Sequence, residues 1–252
     1  MKQKMKDCFG LMKLFIFNLC LTLPAFCLLV DPVLAENLEI KNFGHSSLLI
    51  SGEGKSVLLN PFRAVGCASG LVEPSISADV ILASSRLPDE GSENVAKGLF
   101  LVKPGSYIVD GYRYEGIASP HDRMGGRRFG MSTLWKWNQS GLRFAHLGGA
   151  AGVLTLEDRL LIGQPDVLII GVGGGAKIYN GQEAANIVEL LKPKIVIPVQ
   201  YQLKGQEQIL GCEQETIDSF LEAMGDYKVQ KVGKKYLPKK KIYKSTSIHL
   251  ME

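Results

Sequence analysis

Apolar and polar positions alternate in short runs through the first half of the chain. The runs 46–51, 56–60, 79–84, 107–110, 113–118, 131–137 and 143–147 are rich in Val, Ile, Leu and aromatics. Gly, Pro or Asn separate them, so they predict strands. From about residue 166 the pattern changes. The runs 166–172 and 194–199 are apolar throughout after their charged first residues, Asp166 and Lys194, as in strands buried on both faces. Ala185, Val188 and Leu191 fall at helical spacing and predict a helix over 182–191, stopped by Pro193. A second helix is predicted over 213–224, ending at Gly225. Strands followed by strand–helix–strand units imply layered sheets with helices outside.

The start of the chain reads differently. Lys2, Lys4, Lys6 and Lys13 precede an almost wholly apolar stretch over 14–30. Val33-Leu34-Ala35 then offers short apolar residues for cleavage before Glu36. This is the layout of a secretory signal over residues 1–35. The stretch of 17 residues is short of the roughly 20 needed to span a bilayer, though an uncleaved anchor is the alternative. The expectation is an exported protein in a periplasm, lumen or extracellular space, membrane-anchored if the signal is kept.

Composition is globular, with 46% hydrophobic and 21% charged residues, which excludes disorder or coiled coil for the whole chain. The net charge of +4 divides unevenly. The signal carries +2, eight Lys within 228–244 carry +8, and the remainder carries −6. Residues 36–231 therefore read as one mildly acidic domain, and 232–252 as a basic tail with His249 exposed. The tail suits an anionic membrane surface or an acidic protein; nucleic acid is not expected. Only Cys67 and Cys212 remain outside the signal. They could pair in an oxidising compartment, but two separate thiols are the simpler expectation.

Two motifs are weak. Gly171-Val-Gly-Gly-Gly-Ala176 follows a predicted strand like a phosphate-binding turn, but residues 177–181 separate it from the helix whose N-terminus should follow directly. Gly44-His45-Ser46-Ser47-Leu48 leads into a strand, unlike a nucleophile elbow.

The order of several longer segments is more specific. Gly44-His-Ser-Ser-Leu-Leu-Ile50, Val57-Leu-Leu-Asn-Pro-Phe62, Ala78-Asp-Val-Ile-Leu82 and the 120–130 loop come first. Gly141-Leu-Arg-Phe-Ala-His-Leu-Gly148, the 166–175 segment and the 191–201 segment follow. Over about residues 38–202 this resembles the metallo-β-lactamase-fold superfamily, in its lactonase-like Zn-dependent hydrolase branch. The resemblance implies an α/β (α+β) fold, a four-layer αββα sandwich.

It also implies a metal centre, which this chain matches poorly. The family's His-x-His-x-Asp-His run falls on Ser85, Leu87, Asp89 and Glu90. Its loop histidine is kept as His121. Its bridging Asp falls on Gly149, its last His on Gln200 and a supporting Asp on Asn60. Asp89 and His121 alone survive as family metal positions, so no dinuclear zinc centre and no cofactor is expected. The sequence leaves three readings. The first is a non-catalytic binding or structural protein, a pseudoenzyme. The second is a remodelled hydrolase of an ester, lactone or phosphoester using Asp89, Glu90 and His121, with or without one Mn²⁺ or Ca²⁺. The third is a small-anion or nucleotide binder using Arg127, Arg128 or the 173–175 turn. Glu90, His121 and Gln200 are expected in one cleft with Asp89, and His45 at its edge. Otherwise Asp89 would cap a following helix.

Overall fold

A computed structural model describes residues 38–205, 207–238 and 245–252. The expected signal, its cleavage point and Lys239, Lys240, Lys241 and Lys244 lie outside these residues. Strands β1 (Glu39–Gly44), β2 (Ser47–Gly52) and β3 (Lys55–Leu59) form an antiparallel meander. Strand β4 (Ser77–Leu82) joins β3 in parallel, and β5 (Lys97–Leu101) joins β4. Strands β6 (Gly105–Val109), β7 (Tyr112–Pro120), β8 (Met131–Gln139) and β9 (Leu142–His146) run antiparallel in a second sheet. Helix α1 (Leu156–Ile162) leads to β10 (Val167–Gly171), and helix α2 (Gly181–Leu191) to β11 (Ile195–Val199). Helix α3 (Ile217–Met224), β12 (Lys228–Lys231), β13 (Lys235–Tyr236) and β14 (Ser247–Leu250) complete the chain.

The six-stranded sheet has the order β13-β1-β2-β3-β4-β5, and the eight-stranded sheet β12-β14-β11-β10-β9-β8-β7-β6. One buried cluster joins their facing sides: Ile40, Leu48, Ile50, Val57 and Leu82 meet Trp135, Phe144, Val167, Ile169 and Ile197. A second lies between the eight-stranded sheet and the helices, where Leu168, Ile170 and Val196 pack on Ala185, Val188, Phe220 and Met224. A smaller group of Leu58, Ala78 and Ile81 covers the outer side of the six-stranded sheet. This is the expected metallo-β-lactamase-type α/β sandwich. The alternation of side chains explains it: odd positions of β10 face one layer and even positions the other, so both must be apolar.

Three local expectations are corrected. The C-terminal residues are not all tail: β14 sits between β11 and β12, paired in parallel with both. His249 is buried there beside Ser247, because Ile248 and Leu250 supply apolar surface to the helix layer. Helix α3 begins only after its N-cap Thr216, since the Glu215 backbone pairs with Gly173 and Gln202 instead. Cys67 and Cys212 are joined as a disulfide, with Cα atoms 5.1 Å apart across 145 residues of sequence. The fold, not the local sequence, brings them within bonding reach.

Candidate functional site

The carboxyl ends of the parallel strands converge between the two sheets. Asn60 follows β3, Ser84 and Ser85 follow β4, His121 follows β7, Gly148 and Gly149 follow β9, and Gln200 follows β11. Open α/β sheets place ligand sites at such ends. The backbone here is forced: His45, Asn60 and Gln200 have positive φ of 51°, 40° and 54°. Each costs of order 1–3 kcal/mol, a reserve of strain that collects at functional sites. The Gln200 backbone N–H donates to the His45 carbonyl at 2.9 Å, which ties two of these strained residues together.

Glu90 is the centre of the cluster and is fully buried. Ser85 Oγ donates to its Oε1 at 2.8 Å, and Gln200 Nε2 donates to its Oε2 at 3.0 Å. His121 Nε2 approaches Oε1 to 2.6 Å, off the axis of a full hydrogen bond. Lys177 Nζ lies 3.9 Å from Oε2 and 2.9 Å from both oxygens of Asp89. Burial opposes charge on Glu90, but the His121 contact, the Lys177 ammonium and the Ser85 hydroxyl outweigh it. They hold its carboxyl well below the usual carboxylate range. Asp89 is not a helix cap; it lies in a turn and holds Lys177.

Gly149 lies directly against this carboxylate. A Cβ there would come within 2.2 and 2.5 Å of the Glu90 oxygens. Glu90 therefore fills the space that a side chain at 149 would occupy. Gly148 has a similar constraint: a Cβ would meet Ser84, His146 and Asn60 at 2.8, 2.9 and 3.0 Å. Asn60 Nδ2 donates to the Ser84 hydroxyl at 2.9 Å, and its Oδ1 accepts from the Ser84 backbone at 2.8 Å. The supporting position is thus a neutral hydrogen-bonded hub.

His146 is buried beside the cluster, and its ring nitrogens have no hydrogen-bond partner among the described residues. Burial pushes it down to about 4. Its folded value lies below the unfolded 6.5, so its stabilising effect is complete above pH 6.5 and is lost as pH falls toward 4. That window corresponds to about 3 kcal/mol. Urea titrations between pH 7 and 4 are expected to show this slope in the wild type and a shallower one in His146→Leu; identical slopes would rule it out.

A cleft of about 490 Å³ opens beside the cluster, lined by His45, Leu71, Gln200, Tyr201 and the Cys67–Cys212 bond. Its volume and largely apolar wall suit a small molecule. His45 lies 3.5 Å from Gln200 Nε2, and burial pushes its imidazole down to about 4, so this ring is neutral at pH 7. Glu90 and His121 are not among the lining residues. Gln200 stands between the cleft and the buried carboxylate, facing one and bonded to the other.

The other residues singled out in the sequence are placed elsewhere. Arg127 and Arg128 are exposed and line no part of the cleft. Their loop folds around Asp122, which accepts from the backbone N–H groups of Met124, Gly126, Arg128 and Phe129. Arg128 lies over the Phe129 ring. Arg123 pairs with Glu183 and with the carbonyls of Gly175 and Ile178. The 173–175 turn packs against Gln200, Glu213 and Glu215, and the Glu215 carboxylate disfavours a phosphate there.

The sequence profile described as a beta-lactamase superfamily domain matches residues 39–200. The chain belongs to that family. A metal-dependent hydrolase of Thermus thermophilus is 25% identical over 194 residues, covering 65% of this chain and 83% of the relative. A metal-dependent hydrolase of Thermococcus kodakarensis is 24% identical over 193 residues, covering 65% and 84%. A solved metallo-β-lactamase superfamily structure from Thermotoga maritima has a TM-score of 0.67 at 27% identity, covering 85% of this chain and 98% of that one.

A metal implied by this family is not well accommodated by the residues present. Among the described residues no three His, Cys, Asp or Glu side chains converge to hold an ion. The donors that remain are already engaged: Glu90 by Ser85, His121 and Gln200, and Asp89 by Lys177. No step of a reaction is routed through a metal here.

Proposed function

We propose that this chain is an exported metallo-β-lactamase-fold protein that binds a small ligand in the cleft beside His45 and Gln200, without the metal-dependent hydrolysis named for its relatives. The observation that carries the reading is the Glu90 carboxylate, which takes the space above Gly149 where the family's bridging oxygen would stand. A metal-bound hydroxide needs an open coordination position next to substrate. Here the Glu90 carboxylate and the retained His121 imidazole lie against one another, Asp89 holds Lys177, and none of the three lines the cleft. The disulfide supports export, since such bonds persist in oxidising compartments.

Turnover of an activated ester, a lactone and a phosphodiester, measured with and without added Zn²⁺ or Mn²⁺, tests this. The expected result is no metal-stimulated rate above that of a His121→Ala variant. Metal-stimulated turnover abolished by His121→Ala and by Asp89→Ala would favour the remodelled hydrolase instead. Restoring an acid at the bridging position should fail structurally. Gly149→Asp is expected to lose about 3 kcal/mol or more, because its carboxylate must share a dry site with Glu90. Denaturant unfolding of Gly149→Asp checks this, and wild-type stability would refute it.

A further inference from the structure

We infer that the Lys177 ammonium is the resident cation of this centre, supplied by the chain itself in place of a metal ion, and that the glycine-rich turn exists to deliver it. The inference deepens the metal-free reading above and rests on it for the identity of the charge being replaced. Asp89 and Glu90 are adjacent in sequence and largely or fully buried, with side chains 13% and 0% exposed. Two carboxylates held so close out of water require a counter-charge. Lys177 Nζ provides it, 2.9 Å from both Asp89 oxygens and 3.9 Å from Glu90, with its own side chain only 15% exposed. Lysine is suited to this because its charge is compact and its stem long.

The path of the loop points the same way. Gly173 passes so close to Gln200 that a Cβ would lie 2.1 Å from the Gln200 carbonyl oxygen. Gly174 and Gly175 take φ of 71° and 74°, a left-handed turn that carries the chain back toward the cluster. Arg123 braces the far side through the carbonyls of Gly175 and Ile178, the residues that flank Ala176 and Lys177. The motif that resembles a phosphate-binding turn is thus fixed on both sides of a lysine that points at two acids.

Thermal unfolding of the full chain tests the assignment. Lys177→Met keeps most of the stem and removes the charge. It is expected to lower the melting temperature by about 5–10 °C. Added 1 mM MnCl₂ should restore at least half of that loss, while leaving the wild type unmoved and matched tetramethylammonium chloride without effect. Adding Asp89→Asn to Lys177→Met should recover stability without Mn²⁺ and abolish the Mn²⁺ response. If Lys177→Met alone does not fold, the double variant decides: recovered folding supports the assignment and continued failure overturns it. A Lys177→Met variant as stable as wild type, or one rescued by neither Mn²⁺ nor Asp89→Asn, also overturns it. Stoichiometric zinc in the wild type would sink the metal-free reading, whereas these variants test Lys177 by themselves.

Discussion

Replacing both Cys67 and Cys212 by Ser is expected to lower the melting temperature by about 10–20 °C. The bond closes 145 residues of sequence, and the loop-closure entropy it removes from the unfolded chain corresponds to about 5 kcal/mol. For a domain of this size each kcal/mol moves the midpoint by about 2–4 °C. The effect should also reach the cleft, whose wall includes both cysteines. Leu203, Lys204, Glu207, Gln208 and Ile209 line that wall between the Gln202–Thr216 bridge and Cys212. The disulfide anchors its far end to the short 3-10 turn Gly66–Ala68. Scanning calorimetry of the double Ser variant, and of wild type with and without a dithiol reductant, checks the prediction. A change under about 2 °C would mean that the bond constrains nothing.

Glu90→Ala should be nearly as costly. It leaves Ser85 and Gln200 without their shared acceptor, removes the close contact of His121 and takes one of two negative neighbours from Lys177. Removing one member of a buried charged network costs about 3–5 kcal/mol. Glu90→Gln keeps the shape and should cost less. The acid limb separates the two contributions. Because the folded Glu90 carboxyl is held below its ordinary value, its stabilising effect is present above about pH 4.5 and is lost as pH falls further. Glu90→Gln is therefore expected to flatten the stability profile below pH 4.5, outside the window assigned to His146. Equal acid limbs in wild type and Glu90→Gln would show that the carboxylate carries no such charge.

Much of the fold was readable because the buried strands announce themselves. β10 and β11 are continuously apolar, and no other element of that length satisfies two faces at once. The pattern fails where one face is wet or the element is short. Glu39, Lys41 and Asn42 hide β1, and β14 is four residues beyond a lysine-rich segment. Helix α1 escaped because most of its leucines face solvent, although Thr155 and Asp158 form a capping box around its start.

The candidate site was legible as a set of losses but not as a set of replacements. Gly149 and Glu90 each read as a missing ligand; only their proximity shows that one fills the space of the other. Lys177 carried no local signature at all, because its partner Asp89 lies 88 positions away. The signal that could have drawn attention to it is its place, one residue beyond a glycine run that no phosphate explains. The cysteine pair was missed for the same reason, since pairing is a property of distance in space.

Elemental analysis of the full chain shows whether this centre holds a metal. The protein would be produced without chelators, equilibrated with excess Zn²⁺ and passed through a desalting column. Far less than one zinc per chain is expected, because Glu90 and Lys177 already satisfy the centre. One or more tightly held equivalents would contradict it.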